Sequence, residues 1–353
     1  MDVIWNRYYG LVEKLMLFTG MWPYLESKTR RLRIGLMTMT AGTIFVPQIK
    51  YLTESLLIHW RKLETDEEVE IAQSHARLSK RFSVLYSSYC FFGVYGMTSV
   101  PLLMPILDIV LPLNESRPVL LPISVYYFMD PRQNLIFVCG FAMVSCGILM
   151  TALVAHDCIF VTLVEHVCCM FSVLGSRYEY LLGANFDNTE KNAKLDFDKI
   201  YRQKIGQFVC THNKILEFVK LIENTFTIPL AIQLMILIVS LSCTLLQITH
   251  EEARAIDVTR YIFYVTGQLF HLFCLSFEGQ KLIDYSLGLR DKIYNSSWYQ
   301  TSIRSQKLLI MTMMQSLQPT FVSAGKIYIF SLESFTMVVQ TSVSYFTVLS
   351  TFR

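Results

Sequence analysis

From Asn134 to Gly175 the chain runs about 42 residues without a proline and with only two full charges, Asp157 and Glu165. A helix over that run is roughly 60 Å long at 1.5 Å per residue, whereas the hydrocarbon core of a bilayer is about 30 Å thick. A span of this length predicts that one half leaves the lipid. The half carrying His156, Asp157, Glu165 and His166 is the more polar, so it is the half expected to protrude. The composition agrees with a membrane chain. Apolar residues make up 53% and charged residues 17%, with a mean hydropathy of +0.39, against about 25% charge in soluble domains.

Five further apolar segments lie at about 34–58, 82–112, 229–248, 259–279 and 320–352. Two of them extend as amphipathic stripes. Before the fourth span, Ile205, Phe208, Val209, His212, Leu216, Val219 and Ile222 recur at helical spacing among Lys204, Lys214 and Lys220. Past Gly279 the fifth continues through Leu282, Tyr285, Leu289 and Ile293. Stripes continuous with spans predict a helical bundle outside the membrane; the alternative is separate amphipathic helices lying on the lipid surface. The last region is split: a helix-like stretch at 303–317, an interruption at Gln318-Pro319, then a nearly uncharged helix to the end. The predicted fold is therefore all-α, a polytopic membrane helical bundle with cytosolic helical anchor extensions. Its parts are a cytosolic N-terminus (1–33), N-terminal spans and the start of the anchor (34–175), anchor helices (176–228), further spans and anchor helices (229–319), and a last span (320–353).

Lys and Arg in short loops set orientation. Segments 1–33, 176–228 and 280–319 are basic, while 113–133 and 249–258 are not, and the latter carries Glu251, Glu252 and Asp257. The basic segments are expected in the cytosol, the N-terminus inside and the C-terminus outside. No signal peptide is expected, because the basic run of Arg30, Arg31 and Arg33 precedes the first apolar segment, which stays as an anchor. The sequon Asn114-Glu115-Ser116 falls on an outer loop and is a glycosylation candidate. Asn295-Ser296-Ser297 falls on an inner loop and is expected unused. One conflict remains. Arg30 to Arg33 before the first segment and Arg61, Lys62, Arg77, Lys80 and Arg81 before the second are all basic, and one span cannot put both flanks inside. Either 34–58 does not cross, or a span is absent between about residues 53 and 59.

Several function classes drop out. The net charge of +3 and the lack of a basic tract interleaved with aromatics argue against nucleic acid. Nine scattered cysteines form no disulfide framework and no metal cluster, and no metal or other cofactor is expected. No Ser, His and acid arrangement has catalytic spacing, so the chain is not read as an enzyme. A transporter would show internal repeats, and none is visible. A G-protein-coupled receptor would need an outside N-terminus and a cytosolic tail.

The C-terminal third is more specific. Phe277-Glu278-Gly279-Gln280-Lys281-Leu282-Ile283-Asp284 is followed by Tyr294-Asn295-Ser296-Ser297-Trp298-Tyr299, Gln306-Lys307-Leu308-Leu309, Ala324-Gly325-Lys326, Ser331-Leu332-Glu333-Ser334-Phe335 and the closing Thr341-Ser342-Val343-Ser344-Tyr345-Phe346-Thr347-Val348-Leu349. In this order, over roughly 80 residues, the series resembles insect odorant receptors, with wording like that of ants, bees and wasps. The resemblance continues loosely toward the N-terminus, through Leu107-Asp108-Ile109-Val110-Leu111-Pro112-Leu113-Asn114-Glu115-Ser116-Arg117-Pro118 on the outer loop. It implies seven spans, against six here, and the second would be the missing one. It also implies a plasma-membrane location and assembly with a shared odorant co-receptor into a tetrameric, poorly selective cation channel gated by small volatile molecules. A chain lacking one span could instead be a non-functional or regulatory short isoform.

By match to the family ending, Val348, Thr351 and Phe352 would face the pore; their i, i+3, i+4 spacing puts them on one helical face. Apolar rings of this kind can gate by dewetting, though lipid-facing positions look the same. Glu333, roughly 22 Å lower on the helix, could pair with Lys326 or sit among headgroups. An odorant pocket is mostly apolar with a few polar tips. The family's location for it points to Tyr95, Met97, Thr98, Phe141, Met143, Val144, Tyr261 and Tyr264, residues that would equally suit an ordinary helix-packing core.

Overall fold

The computed structural model describes residues 47–110, 134–183, 191–248 and 255–351. Two of the expected site residues, Asn114 and Phe352, lie outside them, and so does most of the first apolar segment. The chain divides into two compact units, Met1–Lys62 and Leu63–Arg353.

In the first unit residues 47–60 are helical (α1) and end in a turn at Arg61 and Lys62. The helix continues through residues 53 to 60 without a break. Only five residues separate its end from the next helix, so no additional span lies between them.

The second unit is built from long helices: α2 (Asp66–Val110), α3 (Leu135–Gly183), α4 (Lys191–Ile248), α5 (Ala255–Tyr294), a short 3-10 turn at Trp298–Gln300, α6 (Ile303–Gln315) and α7 (Leu332–Thr351). The first turn of α2 explains why this helix starts well before its apolar segment. Thr65 caps the Glu68 N–H, Glu68 reaches back to the Glu64 N–H, and Asp66, Glu67 and Glu68 face the positive end of the helix dipole.

The central element is α3. Glu68–Arg177, His75–Glu165, Tyr86–Asp157 and Tyr95–Gly147 show α2 running antiparallel to it. Phe208–Tyr178, Phe218–His166 and Phe226–Phe160 show the same for α4. By contrast, His271–Asp157, Lys281–Glu165 and Lys292–Glu179 place α5 parallel to it. Surrounded on three sides, residues 163–169 of α3 are all buried. A helix apolar all round belongs inside a core. The first half differs: Phe137, Phe141, Val144 and Ile148 form one exposed stripe. The stripes read from the sequence are mostly inward faces: Ile205, His212, Val219, Ile222, Leu282, Leu289 and Ile293 are buried and Phe208, Val209 and Leu216 half-buried, while Tyr285 is exposed. The extensions therefore pack as a bundle rather than lying as separate surface helices.

The end of the chain departs from the expected helix over 320–352. After α6 the chain forms a small antiparallel hairpin, β1 (Ser323–Ala324) with β2 (Tyr328–Ile329), and helix resumes only at Leu332. Gly325 and Lys326 both adopt left-handed backbone, φ 60° and 59°, and the Ile327 N–H closes the turn on the Ala324 carbonyl. Positive φ at both central positions matches the primed turn that suits the twist of a hairpin. The hairpin is held by α4, where Pro229 takes one donor out of the helix. Two residues earlier Thr227 accepts the Gly325 N–H and donates its hydroxyl to the Ser323 carbonyl, and one turn before it Glu223 accepts from the Ser323 hydroxyl.

Candidate functional site

The expected pocket residues fall on three helices, and the structure separates them by exposure. On α2, Thr98 is buried and its hydroxyl turns back to the Val94 carbonyl. Tyr95 projects over α3, its hydroxyl 2.7 Å from where a Cβ at Gly147 would stand. Met97, Met143 and Tyr261 are half-buried, and Arg260 lies over the Tyr261 ring at 5.6 Å. Phe141 and Val144 belong to the outward stripe of α3, 62% and 64% exposed, and Tyr264 is also exposed on α5. The structure thus brings the Tyr95 hydroxyl against Gly147, though Tyr95 as a whole is 45% exposed, and leaves Phe141, Val144 and Tyr264 on outer faces of the single chain. Beside Tyr95 stand residues that were not singled out from the sequence. The Tyr89 ring packs on Phe270 with centroids 4.5 Å apart and its hydroxyl lies 3.6 Å from the Cβ position of Gly267, while Gln268 donates to the Ser240 hydroxyl. Small residues at Gly147 and Gly267 let these tyrosines lie across neighbouring helices.

Deeper along the same helices is a closed ring of hydrogen bonds with one residue from each of α2 to α5. The Tyr86 hydroxyl donates to Asp157 at 2.7 Å and lies 2.6 Å from His271 Nδ1. The Gln233 side-chain nitrogen is 3.0 Å from Asp157 and 2.7 Å from His271 Nε2. Every member is satisfied if His271 carries its proton on Nδ1, the condition under which a buried polar network holds helices in one register. Apolar Val154, Cys274, Phe82, Met150 and Cys158 close around Tyr86.

About two helical turns further along α3 is a buried ionic cluster. Lys281 contacts Glu165 directly and Glu278 at 3.3 Å, and His75 Nδ1 lies 2.8 Å from Glu165. Burial, with the Lys281 charge second, pushes the His75 pKa down to about 4, so the ring is neutral at ordinary pH and donates Nδ1–H to the Glu165 carboxylate. At the far end Arg177 holds Glu68 with two hydrogen bonds, 2.7 and 2.8 Å. Burial, the largest single influence, would raise the Glu68 pKa, but the Arg177 contact together with backbone hydrogen bonds, the Glu64 N–H first among them, keeps it below the usual value.

The last helix begins where Ser331 caps the Ser334 N–H. Glu333 sits in that first turn, where the helix dipole favours an acid, and among the described residues it makes no ion pair with Lys326. Phe335 meets Phe273 of α5 edge-on at 5.5 Å. Beyond this turn no described side chain of α7 is buried, and Val348 is 50% exposed. Thr351 closes the helix.

A family profile described as "7tm Odorant receptor" matches residues 34–343. The chain belongs to the 7tm odorant receptor family. Odorant receptor 13a of Drosophila melanogaster is 29% identical over 212 residues, 57% of this chain and 49% of that protein. Odorant receptor Or2 of Anopheles gambiae is 31% identical over 105 residues, covering 30% of this chain and 27% of the relative. The odorant receptor coreceptor of Drosophila melanogaster is 26% identical over 170 residues, 47% of this chain and 34% of the coreceptor. The chain spans about half or less of the length of these relatives. Among solved structures, the insect olfactory receptor OR5 from Machilis hrabei in complex with eugenol gives a TM-score of 0.65 at 13% identity, covering 99% of both chains. That likeness shows a shared fold.

As a member of this family the chain is a multi-pass membrane protein, and the motifs quoted from its C-terminal third resolve into structural parts. Gly279 is the seat of Phe330, Ser331 is the cap of α7, and Gly325-Lys326 is the hairpin turn. By length and composition α3 and the Lys199–Ile248 part of α4 are apolar enough to cross a membrane among the described residues. The polar ring was the part the sequence reading missed. Gln233 and His271 are single polar residues in apolar runs, and ionisable or strongly polar groups at such positions mark interior-facing sites.

Proposed function

We propose that this receptor is a subunit of an odorant-gated cation channel that assembles with a shared co-receptor, N-terminus in the cytosol and C-terminus outside. The observation that carries the reading is α7. It is 20 residues long, about 30 Å at 1.5 Å per residue, held by α5 at its first turn, and beyond that turn no described side chain is buried in the single chain. A helix of that kind acquires its packing from other subunits, and Val348, Thr351 and Phe352 are the residues that would line a shared pore. The exposed apolar bands of α2 to α5, including Phe92, Ile136, Leu149, Ile236 and Phe263, fit lipid contact, since patches of this extent are rare on soluble monomers. The odorant site lies in this reading on the α2, α3 and α5 face, with Thr98 innermost, Met97, Met143 and Tyr261 half-buried beside it, and Tyr95, Phe141, Val144 and Tyr264 around it. The likeness to a receptor solved with eugenol supports a small volatile ligand, and the match to coreceptors supports a related partner subunit. Asn114 is the glycosylation site of the outer loop.

The test is a current recording from cells expressing this chain with the co-receptor, challenged with an odorant panel. Odorant-evoked cation current is the expected result. A second reading, a short form without activity of its own, is favoured by the direct passage from α1 to α2. A parallel chain with an apolar helix inserted between residues 53 and 59 separates the two: current from that chain alone identifies the native chain as the short form, and silence from both at normal surface expression rules against the channel reading.

A further inference from the structure

One turn of α5 touches two different parts of the molecule. Glu278 and Lys281, three residues apart, share a face and enter the ionic cluster with Glu165 of α3 and His75 of α2. The two residues between them face the other way. Gly279 lies so close to Phe330 that a Cβ would overlap the Phe330 carbonyl oxygen and Cβ. Gln280 accepts the N–H of Leu332, the first residue of α7, at 3.3 Å. The seat is closed from below by Ser276, whose hydroxyl meets that of Tyr328 at 3.1 Å.

We propose that the Glu278–Lys281 turn is the joint that carries a change in the α2–α3–α5 bundle to the start of α7, with Lys281 and Glu165 as its positioning residues. The proposal rests on reading α7 as the pore helix. A single helical turn is stiff, so a rotation or slide of α5 against α3 displaces Gly279 and Gln280 together with the ionic face. The joint has no slack on the α7 side: a glycine in direct contact with a backbone carbonyl transmits displacement without an intervening flexible side chain.

The joint is also sensitive to protons. Two carboxylates, Glu165 and Glu278, both 2% exposed, share one ammonium, Lys281, while His75 is neutral. One buried negative charge is left over, and burying it unpaired is costly, so the cluster takes up a proton more readily than exposed carboxylates do. The other titratable groups near it are Cys168 on α3 and Cys274, Tyr285 and Asp284 on α5, with Cys274 one turn before Glu278, Tyr285 edge-on to His75 at 5.3 Å and Asp284 bonded to Gln280. From α4 and the hairpin, Glu223 and Tyr328 turn to Ser323 and Ser276 instead.

The test is hydrogen–deuterium exchange on the full chain with its co-receptor in lipid nanodiscs, read at the first turn of α7, with odorant currents recorded in parallel. Lys281→Met is expected to raise exchange at Leu332 to Phe335 by about tenfold, Lys281→Arg to restore it, and Lys292→Met, which removes only the exposed pair with Glu179 on the same helix, to leave it unchanged. In the wild-type protein the protection factor at this turn, the exchange rate relative to the base-catalysed intrinsic rate at each pH, is expected to vary between about pH 8 and about pH 6, and Glu278→Gln is expected to flatten that profile. An α7 start that exchanges identically in wild type, K281M and E278Q at every pH overturns the joint, whatever the currents show. Altered exchange together with silence from both the native chain and the chain carrying the inserted helix leaves the joint standing and removes the pore reading. Because the wild-type pH profile needs no substitution, a variant that fails to fold does not rescue the proposal from a flat result.

Discussion

At the scale of residues, buried polar groups on α3 decide how the bundle is keyed. His75 is the clearest case, since its ring is held neutral by burial and by Lys281, with a pKa near 4 against an ordinary 6.5. The unfolded chain therefore takes up a proton at pH values where the folded chain does not, and stability contributed by this site falls as pH drops from about 6.5 toward 4. At about 1.4 kcal/mol per pH unit, wild type is expected to lose about 2 kcal/mol between pH 6.5 and pH 5 from this residue. His75→Gln keeps a donor for Glu165 and removes the titration, so thermal melts in detergent at the two pH values should converge; an undiminished gap would refute the assignment. None of this could be read along the chain. Asp157, Glu165 and His166 were legible as polar residues in an apolar run, but Glu165 meets Lys281 and His75 from positions more than eighty residues away on either side. Likewise the eight residues taken as a pocket are all plausible by type, and only packing shows that Thr98 faces in while Phe141 and Val144 face out.

At the scale of elements, periodicity gave the helices and the caps gave some of their ends. The apolar stripes on α4 and α5 were visible from spacing alone, and they are mostly the inward faces. The hairpin before α7 was not visible, because Val322, Tyr328, Ile329 and Phe330 continue the apolar pattern of the last segment. What breaks the helix is the left-handed pair Gly325-Lys326 together with bonding partners supplied by Thr227. A lysine at φ 59° carries a cost of about 1 kcal/mol relative to glycine. Lys326→Gly is therefore expected to raise the melting temperature of the receptor by a degree or so, about 1 kcal/mol, and Lys326→Val to lower it by more, since a β-branched residue tolerates this backbone least. Equal melting temperatures for the two variants would show that the turn is not under this constraint.

At the scale of the whole molecule, the long helices divide into portions with exposed apolar sides and portions enclosed by neighbours. The orientation that charge assigns to them is directly testable. A tag at the N-terminus should be reached by antibody only after permeabilisation and one at the C-terminus on intact cells; the reverse labelling would overturn the placement of the basic segments in the cytosol. The sequence by itself determined the helical class, the excess length of α3 and the family, because hydropathy, periodicity and an ordered set of short motifs are all local properties of the chain. Only the tertiary structure decided that α3 is the hub, that one turn of α5 binds both the ionic cluster and the start of α7, and that four separate helices each give one residue to a closed polar ring. Those arrangements depend on which helix faces meet across distant parts of the chain, and a side chain's partner there is fixed by packing and the need to satisfy buried charge, neither of which has a signature in local order.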